Sequence, residues 1–290
     1  MEGTKPGLLG IDPKDLTNDV FDYIFLGAPY KPGNIPEEKL RKMREEFEYW
    51  YPMDLRVSAK DLVRNHLTMS LYNHAAIWEN PKYWPRGFFC NGYITVNGEK
   101  MSKSKGNFLT LNDCINTYGA DATRIALADA GDTLDDANFV QDTANSGVLR
   151  LANLETWIKW AVDNLSKMRE DSTDEYYKWI DHGFSNEIDK CIIETDKAYD
   201  SMRFRDVLKY GLYDLSSMKE EYLLQCQEDP ANMNKNVILK YIEAQLILLY
   251  PVCPHFSDIV YNKYLKPHLP NKPDYISLHR FPEVIISIFS

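Results

Sequence analysis

Apolar positions along the chain first come in short clusters set off by polar punctuation, then settle into long helical periodicity. Residues 1–16 are irregular, broken by Gly3, Pro6, Gly7, Gly10 and Pro13. Thr17-Asn18-Asp19 offers a cap for a short helix through Val20, Phe21, Ile24 and Phe25. Pro36, followed by Glu37 and Glu38, suits the first turn of a second helix ending near Trp50, with both acids beside its positive dipole end. A short strand over residues 54–58 leads into a helix from Asp61 to Trp78, with Leu62, Leu67, Leu71 and Ala75 on one side. The run Phe88 to Val96 reads as a strand, and Asn97-Gly98 supplies the left-handed turn that two-residue hairpins favour. Helices from about Asn112 to Tyr118 and from Ala120 to Ala130 are closed by Gly119 and Gly131.

Beyond Asp142 the strand signals fade. Leu149, Leu151, Leu154, Trp157, Ile158, Ala161, Val162 and Leu165 recur at helical spacing, as do Val207, Leu208, Leu212 and Leu215. Val237, Tyr241, Ala244, Leu248 and Leu249 do the same further on, with short polar connectors such as Glu228-Asp229-Pro230 between the runs. The pattern predicts an α/β half of a doubly wound sheet over residues 1–137 and an all-α bundle over 138–290. At 290 residues the chain is long enough for two cores.

Composition narrows the function classes only modestly. With 19 Tyr, 12 Phe and 6 Trp the chain is globular. No apolar run reaches the ~20 residues of a membrane span, and no signal-peptide core is present at the N-terminus, so a cytoplasmic protein with no membrane partner is expected. Cys90, Cys114, Cys191, Cys226 and Cys253 show no C-x-x-C spacing and read as reduced, mostly buried thiols; no metal ligand set is expected. A net charge of −10 argues against non-specific coating of nucleic acid, although a local basic face can coexist with it.

Candidate chemistry gathers in two places. Directly after the hairpin turn comes Lys100-Met101-Ser102-Lys103-Ser104, then Lys105-Gly106-Asn107. Compact ammonium groups on flexible stems, interleaved with hydroxyls and backbone N–H groups, suit a polyphosphate whose charge shifts during reaction. The bland alternative is a solvated lysine-rich loop. Upstream, Asp61 at a strand-to-helix junction could accept both hydroxyls of a ribose, and His66 could point into the same cleft. Taken singly, Asp61 reads equally as a first-turn acid stabilising the dipole and His66 as a half-buried structural histidine.

The string Lys100–Ser104, in its hairpin context, resembles the KMSKS signature of class I aminoacyl-tRNA synthetases. The segment Ser58-Ala59-Lys60-Asp61-Leu62, followed by Asn65-His66-Leu67, resembles the archaeal and eukaryotic cytosolic leucyl-tRNA synthetases, with Ala59 where that family usually carries glycine. Isoleucyl and valyl enzymes differ at Asn65-His66. Arg203–Gly211 is similar to a helix of the family's anticodon-binding bundle, and Tyr250–Asp258 to the proline-punctuated helix near its end. His255, between prolines and aromatics, reads as a packed structural residue.

The resemblance implies the second half of a Rossmann-like class I catalytic domain followed by an α-helical anticodon-binding domain. It implies ATP-dependent activation of leucine and transfer of the leucyl group to tRNA(Leu). Lys100 and Lys103 would be catalytic; Asp61, His66, Met101, Ser102, Lys103 and Ser104 would bind ATP, with Mg²⁺ arriving on the phosphates; Arg203, Arg205 and Lys209 would contact tRNA or simply form a solvated face. The six histidines form no His-x-Gly-His turn, the other class I signature, and no large editing insert is present. The chain is therefore expected to be incomplete alone, with a possible separate chain supplying that half. The alternatives are a non-catalytic tRNA-binding module and a portion of a valyl or isoleucyl enzyme.

Overall fold

The computed structural model describes residues 10–171, 173–269 and 271–284, leaving out the Lys103 side chain. The chain divides into two compact units, Met1–Asn91 and Gly92–Ser290.

In the first unit, α1 (Asn18–Phe21) continues into a wider π turn, Asp22–Leu26, closed by Gly27 at φ +74°. Thr17 is the capping residue, but its side chain makes no capping hydrogen bond. Helix α2 (Glu37–Trp50) packs Leu40 against Tyr23, Ile24 and Ile35 to form a small core. Strand β1 (Arg56–Ala59) runs parallel to β2 (Phe88–Asn91), with Ser58 opposite Cys90. Between them the chain does not form one regular helix as the apolar spacing suggested. A 3-10 turn (Lys60–Leu62) and a π turn (Val63–Leu67) precede α3 (Thr68–Ile77). A π turn carries an extra residue, which rotates the face that follows. Leu67 is accordingly buried, while Leu71 is 44% exposed.

The predicted strand Phe88–Val96 is likewise two strands. At Gly92 the backbone lies so close to the Asp135 carbonyl that a Cβ would sit 2.0 Å from its oxygen, and pairing restarts beyond it. In the second unit β3 (Ile94–Val96) forms the expected hairpin with β4 (Glu99–Lys100) through Asn97 (φ +49°) and Gly98 (φ +82°). β3 also pairs in parallel with β5 (Ala137–Phe139). Helices α4 (Leu111–Tyr118) and α5 (Ala120–Ala130) bridge the hairpin to β5. α4 opens on a capping box between Thr110 and Asp113.

The remaining helices are α6 (Gln141–Asp163), α7 (Glu175–Asp200), α8 (Phe204–Leu208), α9 (Leu215–Gln225), α10 (Lys235–Leu249) and α11 (Pro254–Val260). Their shared core includes Leu151, Ile158, Ile188, Leu208, Leu212, Leu215, Tyr241 and Leu248. Leu149, expected inside, is on the exposed face of α6. Near one end of this bundle Arg169 donates to Asp181 at 2.5 and 2.7 Å, and the Tyr222 hydroxyl donates to the same carboxylate at 2.7 Å. Four cysteines are buried and Cys90 is half-buried. Burial pushes the Cys191 and Cys226 thiols up to about 11, and raises Cys114 and Cys253 as well.

Candidate active site and RNA-facing residues

The lysine loop is held by its own backbone and by one amide side chain. Asn107 Oδ1 accepts the Ser102 N–H at 2.8 Å, and its Nδ2 donates to the Lys100 carbonyl at 3.2 Å and to Glu99 Oε2 at 3.4 Å. The Ser102 and Ser104 hydroxyls lie 2.8 Å apart. Lys103–Lys105 forms a short 3-10 turn, and Gly106 at φ +67° lets the chain leave it. The Lys100 ammonium lies 5.2 Å from the centre of the Tyr93 ring. Lys105 faces Glu99 at 3.9 Å. Met101 and Ser102 are half-buried and Ser104 exposed; the Lys103 side chain lies outside the described residues. The hairpin beneath is fastened to β5, because Asn138 Oδ1 accepts the Gly98 N–H at 2.7 Å and the Phe139 carbonyl accepts the Asn97 N–H at 3.0 Å. A rigid base under a solvent-facing loop suits an anion that must be gripped and then released.

The second candidate cluster belongs to the first unit. Asp61 is exposed within the 3-10 turn, and His66 is exposed within the π turn that follows. Arg56 Nη2 lies 2.7 Å from His66 Nε2. A guanidinium can only donate, so Nε2 is the acceptor and the imidazole carries its proton on Nδ1. Sequence reasoning missed both Arg56 and Asn107. Each acts on a motif residue from outside the motif, and only the position of Asn107 just past the loop hinted at its part. Ala59 has φ −82° and ψ 151°, ordinary extended backbone that needs no glycine.

Among the residues considered for RNA contact, Arg203 pairs with Asp206 at 3.0 Å. The Arg205 N–H donates to Asp132 Oδ2 at 3.1 Å. The Lys209 ammonium lies 4.5 Å from the Tyr210 ring centre. Arg203 is the capping residue of α8, Arg205 lies within it, and Lys209 opens the π turn Lys209–Asp214 that follows. His255 is not packed inside: its side chain is 73% exposed, with Nδ1 3.2 Å from Asp121 Oδ1. Among the described residues no group of three or more His, Cys, Asp or Glu side chains could hold a metal ion, and no helix is long and apolar enough to cross a membrane.

Comparison with known proteins matches both parts. The family described as "tRNA synthetases class I (I, L, M and V)" matches residues 14–140, and "Anticodon-binding domain of tRNA ligase" matches residues 181–288. The cytoplasmic leucine–tRNA ligase of Dictyostelium discoideum is 44% identical over 263 residues, covering 90% of this chain and 24% of that protein. That of Arabidopsis thaliana is 44% identical over 256 residues, covering 88% of this chain and 23% of the relative. The chain thus spans about a quarter of the length of these curated relatives. A solved LeuRS–tRNA–LeuAMS ternary complex from Agrobacterium radiobacter K84 shares the fold at a TM-score of 0.57, with 17% identity, covering 91% of this chain and 32% of that one. Matched along nine tenths of its length, the chain belongs to the leucine–tRNA ligase family of class I tRNA synthetases.

Proposed function

We propose that this chain is the part of a cytoplasmic leucine–tRNA ligase that carries the phosphate-handling loop and the anticodon-binding bundle, the bundle beginning near residue 138. The observation that carries the reading is the Lys100–Ser104 loop, braced by Asn107 on an anchored hairpin, in a chain 44% identical to such ligases. In this reading the leucine carboxylate attacks the α-phosphate of ATP, forming leucyl-adenylate and releasing pyrophosphate. The terminal ribose hydroxyl of tRNA(Leu) then takes the leucyl group. Lys103, aided by Lys100, stabilises charge developing on the β- and γ-phosphates, and the backbone and hydroxyls of Met101, Ser102 and Ser104 line the same anion. Asp61 accepts the ribose hydroxyls, and His66 lines the leucine–adenylate cleft. Mg²⁺ enters on the ATP phosphates, where it neutralises charge. Arg203, Arg205 and Lys209 contact the RNA backbone.

The His-x-Gly-His turn is not among these 290 residues, so activation requires sequence that supplies it, in the same protein or a separate chain. The exposed apolar residues Val57 on β1 and Leu71 and Ile77 on α3 support further catalytic-domain structure packing on the first unit. The test is leucine-dependent ATP–pyrophosphate exchange, on this chain alone and together with a chain bearing the His-x-Gly-His half. Exchange is expected only in the mixture. Lys103→Ala should lower it about a hundredfold, with a smaller change in the ATP concentration needed, because the lysine acts in the transition state. tRNA binding without exchange in either mixture would replace this reading with a non-catalytic RNA-binding module.

A further inference from the structure

A trough between α7 and α9 sets an exposed apolar surface in an acidic frame. Along α7, Trp179, Gly183 and Glu187 follow at successive turns, as Met218, Glu221 and Gln225 do along α9. The cavity between the two rows is about 240 Å³. Its floor is preformed: the Phe184 and Tyr222 rings stack with centres 4.6 Å apart, and the Tyr222 hydroxyl donates to Asp181 and accepts the Asn234 N–H at 2.8 Å. Trp179 is nonetheless 70% exposed, and an accessible tryptophan beside a packed apolar floor is a common anchor for a partner. Gly183 lies inside α7, where glycine weakens the helix, yet a Cβ there would meet nothing within 4 Å. Packing among the described residues does not call for that glycine; a backbone approaching from outside would. The charged residues of the lining, Glu187 and Glu221, are both carboxylates. Glu187 pairs with the exposed Lys190 at 3.2 Å, and Glu221 accepts from the Gln225 amide at 3.4 Å, so both stand at the surface, open to exchange for a partner's cation.

We infer that this trough docks an amphipathic helix of a partner protein, its apolar side chains against Trp179 and Met218 and its lysines or arginines facing Glu187 and Glu221. The α7 row from Trp179 to Glu187 runs ~12 Å at the α-helical rise, the length of about two turns of a guest helix. A guest of that length places its anchors one and two turns apart on a single face, the pattern of helix-in-groove recognition. Gly183 lets the guest backbone come close at the centre of the row. The two carboxylates select the charge of the guest: they attract a basic helix and repel a phosphate backbone. The inference is independent of the ligase chemistry and of the RNA contacts proposed for Arg203, Arg205 and Lys209.

The test titrates the ¹⁵N-labelled chain with a synthetic amphipathic helix of leucine and lysine, and with its counterpart carrying glutamate for lysine. It follows the Trp179 indole N–H resonance, assigned through its disappearance in Trp179→Phe. The lysine peptide should shift the resonance and the glutamate peptide should not. Trp179→Ala should weaken binding about tenfold, and Glu187→Gln with Glu221→Gln should weaken it about fivefold and flatten its salt dependence. Gly183→Leu should abolish binding while Tm holds or rises, because the space above the glycine is open and leucine favours the helix. Equal binding of both peptides overturns the charge selection. Failure of the lysine peptide to bind, or binding unchanged in Trp179→Ala and Gly183→Leu, overturns the trough. A resonance moved by a tRNA(Leu) transcript in place of the peptide overturns the protein partner in favour of RNA. One moved by the chain bearing the His-x-Gly-His half assigns the trough to the ligase's own structure and likewise overturns a separate partner.

Discussion

Asn107 governs the lysine loop through three hydrogen bonds, to the Ser102 N–H, the Lys100 carbonyl and the Glu99 carboxylate. Asn107→Ala should free the Ser102 amide and speed hydrogen exchange across residues 100–105 about tenfold, with little change in Tm, since the loop adds almost nothing to the core. Asn107→Asp keeps the acceptor for Ser102 but places a second charge against Glu99, and should fall between the two. At the other end of the chain, the His279 side chain is only 4% exposed, with Nε2 2.9 Å from the Tyr261 hydroxyl. Burial lowers its pKa, the Lys272 and Lys266 charges adding to that and Glu243 opposing it. A histidine whose folded pKa is depressed contributes stability that is full above its unfolded value, ~6.5, and is lost as pH falls below it. Thermal stability should therefore decline between pH 7 and pH 5, and His279→Gln should flatten that decline relative to wild type.

At the scale of elements, α5 is tied to the bundle by groups that simple periodicity does not reveal. Asp121 in its first turn accepts the Phe256 N–H at 2.6 Å, and Arg124 donates to the carbonyls of Val252 and Pro251 at 2.7 and 2.8 Å. Asp121→Ala strands the Phe256 amide and should cost about 1–2 kcal/mol in urea denaturation, while Arg124→Met should cost less because those carbonyls can turn to water. The bounds of α5 were legible in the sequence because Gly119 and Gly131 enclose it, and those of α2 because Pro36 opens it. The α3 region was misjudged for a physical reason: one extra residue in a π turn changes no local propensity yet rotates every side chain that follows. The division of Phe88–Val96 was equally hidden, since it depends on Gly92 meeting Asp135, far along the chain. The candidate site divides in the same way. Its lysine string and its Asp61–His66 pair are written locally, whereas Arg56 on His66 and Asn107 on the loop follow from folding.

For the molecule as a whole, a net charge of −10 coexists with a solvent-facing lysine loop, so RNA contact should be confined to few phosphates and RNA affinity should fall only shallowly with salt. The thiols have a practical consequence. Four of the five lie in packed interior where the reactive thiolate is suppressed, and Cys90 on β2 is the one reached in part by solvent. Iodoacetamide applied to the native protein should therefore alkylate Cys90 first, and intact-mass spectrometry should record a single adduct before unfolding exposes the rest. Because Cys90 stands opposite Ser58, three positions before Asp61, a fluorophore attached there gives the strand beneath the proposed ribose contact an optical reporter without any engineered cysteine.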